Sequence, residues 1–316
     1  MVPIAHANDG GGSIRIPASC CGLFGLKPSR GRVSQWPMPA DNLLTQEHVV
    51  TRSVRDSAAV LDLLAGLMPG DMHTAPPKLG PYAAELVIPP GKLRIGVATR
   101  HPSMDGTLVE SHPDCIAAVA HTAKLLASLG HHVEHADIKA IHDPQLIPSF
   151  LAIWVVGVST GLDDLARITG RAIEEHEVQP LTWALGQLGR LVTGPAYASA
   201  WEWLAGATRR IAEFFTTYDL WLTPTVTSPP VPLGTFNSPP DDPLAGIFRA
   251  GEFAPFTAVF NATGQPACSV PLYQSPTGLP IGVQLAAAYG REDLLLRVAA
   301  QLEAAQPFTH PATRHL

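Results

Sequence analysis

Charged residues are scarce in this 316-residue chain, at 15% of the total, and basic residues do not dominate among them. Lysine and arginine together number 21 against 27 aspartate and glutamate residues, which gives a formal net charge of -6. A protein that binds a nucleic-acid backbone needs a basic surface, and this balance argues against a nucleic-acid partner. Hydrophobic residues make up 46% of the chain, which is typical of a folded globular enzyme.

Cysteine is also rare, with only Cys20, Cys21, Cys115 and Cys268. Their spacing matches no metal-binding motif, and an adjacent pair is a poor start for a disulfide framework. We therefore expect buried, reduced thiols in a cytoplasmic protein, with neither a metal nor another cofactor.

Long hydrophobic runs are missing as well. The N-terminus has no cationic region followed by an apolar stretch, so no secretory signal is visible. The most apolar window, residues 147–158, is shorter than the roughly 20 residues that a membrane-spanning helix needs, and it contains Pro148 and Ser149. We interpret this window as a buried helix and expect no membrane partner.

The sequence does contain a run of three glycines, Gly10 to Gly12, directly before Ser13. Glycine can adopt positive φ and leaves backbone N–H groups uncovered, and a serine after such a run can face the space around those groups. Acyl transfer needs that arrangement, because the oxyanion of a tetrahedral intermediate requires fixed donors within about 2.7–3.1 Å. By itself the motif is a weak signal, since a tight turn with a solvated serine has the same pattern.

The longer string GGGSIRIPASCCGLFGLKPSRGRVS, residues 10–34, resembles the signature segment of the amidase signature family of serine amidohydrolases. Further matches follow in order at residues 52–56, 218–225, 256–267 and 278–284. The resemblance extends from Asp9 to about Glu303. It implies one amidase signature domain over residues 1–316, with an α/β fold in which a mixed, mostly parallel twisted sheet is covered by helices.

Local patterns are consistent with an α/β fold. Residues 93–98, 113–129 and 131–136 predict a strand, a helix and a strand, which is a βαβ unit with parallel pairing. His131, His132 and His135 resemble a metal cluster, but neighbouring side chains on a strand face opposite sides, so the geometry is poor for one ion.

Other elements follow from hydrophobic periodicity and turn residues. We predict a buried strand over residues 1–7, helices over 53–67 and 291–305, and a hairpin of strands 267–272 and 281–286. Residues 145–218 read as mostly helical, and in the resembling family this region shapes the substrate site. Its aromatic residues could form core packing or an acyl pocket, and both interpretations stay open.

The resemblance also assigns chemical roles. Ser13 matches the nucleophile, and the backbone N–H groups of Gly10, Gly11, Gly12 and Ser13 match the oxyanion hole. Asp9 and Arg15 flank the serine with opposite charges, and we expect a buried pair that supports the loop.

In the family, the base is a lysine that burial keeps neutral, and it acts through a second serine. Both residues precede the glycine motif there, so we expect this chain to lack the N-terminal portion of the domain. The resemblance implies that Lys27, which lies in the signature segment, is a structural residue. Nothing in the sequence predicts that the other lysines, Lys78, Lys92, Lys124 and Lys139, are desolvated.

The resemblance implies an amidase that hydrolyses the carbon–nitrogen bond of a small carboxylic amide to an acid plus ammonia or an amine, through an acyl-serine intermediate. The alternative is a non-catalytic homologue, or a partner-dependent subunit of the amidotransferase type. A second copy of the chain and an upstream fragment both stay open as partners.

Overall fold

The computed structural model describes residues 2–38, 42–102, 107–239 and 241–309, which contain ten β-strands and ten α-helices. The strands are β1 (Ile4–Asp9), β2 (Phe24–Lys27), β3 (Gln46–Thr51), β4 (Arg94–Val97), β5 (Arg100–Pro102), β6 (Leu108–Glu110), β7 (His132–His135), β8 (Leu220–Pro224), β9 (Ala267–Gln274) and β10 (Pro280–Ala287). The helices are α1 (Arg15–Cys21), α2 (Val54–Leu64), α3 (Tyr82–Glu85), α4 (Pro113–Ser128), α5 (Leu146–Thr169), α6 (Pro180–Leu191), α7 (Gly194–Phe214), α8 (Ala245–Phe253), α9 (Ala258–Thr263) and α10 (Glu292–Ala305).

Eight of these strands form one mixed sheet in the order β1-β3-β2-β9-β10-β8-β4-β7, while β5 pairs with β6. The predicted mixed sheet and the βαβ unit β4–α4–β7 are confirmed. The expectation of mostly parallel pairing is wrong for the described strands. Only β8–β4 and β4–β7 are parallel, and the other five neighbouring pairs are antiparallel. The tight turn after Gln274, for example, forces β10 to return antiparallel to β9.

Helices cover both faces of the sheet. Along β8 the side chains alternate, so that Leu220 and Leu222 belong to one hydrophobic core and Trp221 to the other. The first core includes residues of α2, α4 and α10, and the second includes residues of α5, α7 and α9. The α/β class predicted from the sequence is therefore confirmed, with the middle helices packed on one face.

Strand β1 differs from its prediction. It begins at Ile4 instead of residue 1, and its side chains are half-buried or exposed as far as Asn8. The cause is its position at the edge of the sheet, where it pairs only with β3 among the described strands. Its last residue, Asp9, is fully buried, so the strand delivers one carboxylate into the interior.

Helix α5 is longer than the apolar window that predicted it. Pro148 lies in the first turn, where backbone N–H groups have no partner within the helix, so the proline does not interrupt it. By length and composition, this helix of the described chain could cross a membrane. The core helix of a soluble protein has the same composition, and residues such as Phe150 and Ile153 of α5 lie in the second core.

The cysteines are only partly as expected. Cys115 and Cys268 are buried, and burial raises the pKa of each thiol to about 12. Cys20 is half-buried and Cys21 is exposed, so the expectation of burial is wrong for Cys21. Cys21 is the last residue of the short helix α1, on the side that faces solvent.

Glycines allow α6 to approach α5 closely. A Cβ added at Gly189 would lie 2.1 Å from the carbonyl oxygen of Val155. We expect Gly189→Ala to lower the free energy of unfolding by about 1–3 kcal/mol, because the two helices must separate. Urea unfolding measures this. Gly157→Ala on α5 is the matched control, since a Cβ there meets nothing within 4 Å. Equal effects of the two substitutions would show that the close approach does not exist.

Candidate active site

A tight loop joins β1 to α1 and carries the glycine run. Gly12 has φ of 136°, a conformation that strains any residue with a side chain. A Cβ at this position would also lie 2.5 Å from Thr257 Oγ1 and 2.6 Å from Ile16 Cδ1. Both the backbone conformation and the lack of space therefore require glycine at Gly12.

The buried carboxylate of Asp9 supports this loop through hydrogen bonds. The carboxylate accepts hydrogen bonds from the backbone N–H groups of Gly12 (2.6 Å) and Ile14 (3.2 Å) and from Arg15 Nε (3.0 Å) and Nη2 (2.9 Å). Both charged side chains are fully buried. Burial alone would raise the pKa of Asp9, but the charge and hydrogen bonds of Arg15 outweigh it and hold the pKa below its usual value.

Arg15 connects the loop to two distant segments. Beyond Asp9, its guanidinium donates to Asn261 Oδ1 (2.7 Å), Gln284 Oε1 (2.8 Å) and the carbonyl oxygen of Thr257 (2.9 Å). All five of its donor positions are thus engaged.

Two further contacts complete the support. Asn261 Nδ2 donates to the carbonyl oxygen of Asp9 at 2.6 Å, and Thr257 Oγ1 donates to the carbonyl oxygen of Gly11 at 2.6 Å. The loop is therefore fixed at both ends and at its centre by buried groups.

Thr257, Asn261 and Gln284 were not singled out from the sequence. The available signal was that each is a polar residue inside a segment of mainly apolar character that matches the family pattern. All three are buried, and a buried polar side chain needs a hydrogen-bond partner. Polar residues inside apolar motif segments are therefore a sequence signal for the buried side chains that support the loop.

The structure exposes Ser13, while Gly10 and Gly11 are half-buried. In the described part of the chain, the N–H groups of Gly11 and Ser13 donate to no protein acceptor. The N–H of Gly12 donates to the Asp9 carboxylate, whereas the assignment of Gly10, Gly11, Gly12 and Ser13 to the oxyanion hole stays a prediction. The loop therefore presents the hydroxyl of Ser13 beside amides that can bind an anion.

None of the five lysines contacts Ser13 among the described residues. Lys27 is fully buried, and its Nζ donates to the carbonyl oxygen of Pro28 (2.9 Å) and to Gln46 Oε1 (3.0 Å). Burial and the nearby charge of Arg15 hold the pKa of Lys27 well below its usual value. Lys78 pairs with Asp62. Lys92, Lys124 and Lys139 are exposed.

Comparison with known proteins agrees with the motif. The family model described as Amidase matches residues 1–296. The chain is 40% identical over 318 residues to 6-aminohexanoate-cyclic-dimer hydrolase of Pseudomonas sp. (strain NK87), covering 98% of this chain and 64% of the relative.

Solved structures give the same result. The structure of 6-aminohexanoate cyclic dimer hydrolase complexed with substrate superposes with a TM-score of 0.91 at 39% identity, covering 96% of this chain and 65% of that one. A glutamyl-tRNA(Gln) amidotransferase subunit from Thermotoga maritima superposes with a TM-score of 0.71 at 25% identity, covering 98% of this chain and 64% of that one.

The chain thus spans about 64% of the length of the curated relative that it matches. Within that span the signature loop, its buried ion pair and the distant residues that hold it all lie in the segments that resemble the family motifs. Since the family model covers residues 1–296, the chain belongs to the amidase family.

Proposed function

We propose that this chain carries the nucleophile of an amidase, which hydrolyses the carbon–nitrogen bond of a small carboxylic amide. The observation that supports this most strongly is the loop itself. The buried side chains of Asp9, Arg15 and Asn261 hold the loop, yet Ser13 is exposed and the N–H groups of Gly11 and Ser13 have no acceptor among the described residues. A loop that served only as a turn would not need this degree of buried support.

In the proposed reaction, Ser13 Oγ attacks the carbonyl carbon of the amide and its proton passes to a general base. The N–H groups of Gly11 and Ser13, with Gly10 beside them, stabilise the negative charge that develops on the carbonyl oxygen. The carbon–nitrogen bond then breaks, and the amine or ammonia leaves with a proton. A water molecule attacks the acyl-serine, releasing the acid and restoring the hydroxyl.

The substrate is proposed to be an uncharged amide. One relative is named for the hydrolysis of a cyclic dimer of 6-aminohexanoate. The identity of 39–40% to that hydrolase, against 25% to the amidotransferase subunit, favours a free-standing amidase over the partner-dependent alternative.

A covalent probe tests this proposal. In a form of the protein that carries, ahead of Met1, a segment with the family's lysine and relay serine, we expect a fluorophosphonate to modify Ser13, because the base activates the hydroxyl and the adjacent amides stabilise the phosphonate oxygen as the bond forms. Mass spectrometry of peptides locates the adduct, and Ser13→Ala should abolish it. Ser199, which is exposed on α7, is the control and should stay unmodified. Equal modification of both serines would contradict a special role for Ser13.

A further inference from the structure

An aromatic wall lies directly beside the glycine loop. Trp154 and Phe150, both on α5, face Gly11 from the side where a side chain would be. A Cβ added at Gly11 would lie 3.2 Å from Trp154 Cζ3 and 3.7 Å from Phe150 Cζ. The indole ring therefore lies where a side chain of residue 11 would be, next to the backbone amides that would bind an oxyanion.

Phe150 fixes the position of Trp154. The two rings meet edge to face, with centroids 5.2 Å apart and an interplanar angle of 85°. Phe150 is only 4% exposed and belongs to the second core, whereas Trp154 is half-buried. One part of the indole is thus anchored in the protein, and another part stays available to a ligand.

The part of α5 that carries this wall has no charged residue. Residues 146–162 of α5 include no aspartate, glutamate, lysine, arginine or histidine. The first charged residues of the helix, Asp163 and Asp164, pair with Arg190 and Arg167. A charged acyl group against this wall would lose hydration without gaining a partner from this stretch of α5, which costs several kcal/mol.

We propose that Trp154 is the specificity-determining wall for the acyl group of an amide held at Ser13, an inference that rests on the function proposed above. The ligand class is an uncharged acyl group, either an aliphatic chain or a ring, that packs against the face or edge of the indole. Ligand sites are mainly apolar with few polar groups, and the backbone amides beside Ser13 are those polar groups here.

Hexanamide and adipamate serve as probes, because both carry the amide head group and adipamate adds a carboxylate at the far end of the acyl chain. Their binding to the 316-residue chain is measured by ligand-observed NMR in a Ser13→Ala background, which prevents turnover. We expect Trp154→Ala to weaken hexanamide binding by at least about tenfold, since several buried CH₂ groups lose their contact. Trp154→Phe should lose much less affinity for hexanamide, and adipamate should bind far more weakly than hexanamide, because its distal carboxylate would lose hydration against the indole.

Trp203→Ala is the matched control, because Trp203 is a half-buried tryptophan of α7 that lies over Arg210. This variant should keep its affinity for hexanamide. Equal losses in the Trp203 and Trp154 variants, an unchanged affinity in Trp154→Ala, or equal binding of the two probes would overturn the proposal.

The experiments distinguish a failure of the Trp154 proposal from a failure of the proposed amidase function. Binding of hexanamide that depends on Trp154 supports the wall whether or not any form of the chain hydrolyses amides. Hydrolysis whose kcat/KM for hexanamide is the same in the wild type and in Trp154→Ala overturns the wall and leaves the amidase function standing.

Discussion

Replacing Arg15 with methionine is expected to lower the free energy of unfolding by about 3–5 kcal/mol, the usual effect of breaking a buried ion pair. Methionine fills much of the same space but donates no hydrogen bond. The Asp9 carboxylate then stays buried without its counter-charge, and the acceptors on Asn261, Gln284 and Thr257 lose a donor. The effect is large because all of these groups are shielded from water, which could otherwise replace the guanidinium.

Arg190→Met provides the control at a solvated ion pair. Arg190 donates to Asp163 on the surface, with both side chains about half exposed. Water replaces such a contact easily. Arg190→Met should therefore lower the free energy of unfolding much less than Arg15→Met does. Urea unfolding of both variants gives the comparison. Similar decreases in the free energy of unfolding would show that the Asp9–Arg15 pair does not stabilise the fold as its burial indicates.

Much of the candidate site could be predicted from the sequence because its core is local. The residues from Asp9 to Arg15 are within seven positions, so their spacing alone predicts a loop with a charge at each end. The other partners of Arg15 are 242 to 269 positions away, and no spacing rule connects them. Their position depends on how β10 and α9 pack against the loop, which is a property of the whole fold.

The backbone N–H of Gly12 shows a second limit of prediction from the sequence. The sequence predicts several free amides in a glycine run, but it does not predict which way each N–H points. A carboxylate is a stronger acceptor than a neutral oxygen, and the Asp9 carboxylate lies only 2.6 Å from the Gly12 nitrogen. One candidate donor of the oxyanion hole is therefore used to brace the loop.

Strand direction was a third limit. The βαβ pattern of residues 93–136 predicts parallel pairing, which is confirmed, since a helix between two strands makes a parallel crossover. The resemblance implies mostly parallel pairing for the whole sheet, and this is wrong for the described strands, whose long connections elsewhere do not specify direction in the sequence. The hairpin of β9 and β10 was the exception, because its turn is short enough to do so.

A form of the protein that carries, ahead of Met1, an amidase segment with the family's lysine and relay serine is expected to hydrolyse amides faster than the 316-residue chain by about 10²–10⁴-fold, the usual contribution of a general base. The physical reason lies in Ser13. A serine hydroxyl is a weak nucleophile at neutral pH until a base removes its proton. None of the lysines in the described structure contacts it, and the buried one, Lys27, donates to Pro28 and Gln46.

Release of ammonia from hexanamide measures the two rates, with Ser13→Ala as the control in each form. The substitution should abolish the activity of the extended form, and it should change the weak activity of the 316-residue chain little. If the 316-residue chain alone matches the extended form and loses that activity on Ser13→Ala, a group within these residues acts as the base. Lys27 would then be the first candidate, since its lowered pKa leaves a larger share of the neutral amine at pH 7 than an exposed lysine has. Lys27→Met would separate that case from a base supplied by an added segment, because only the former predicts a loss of rate in the 316-residue chain.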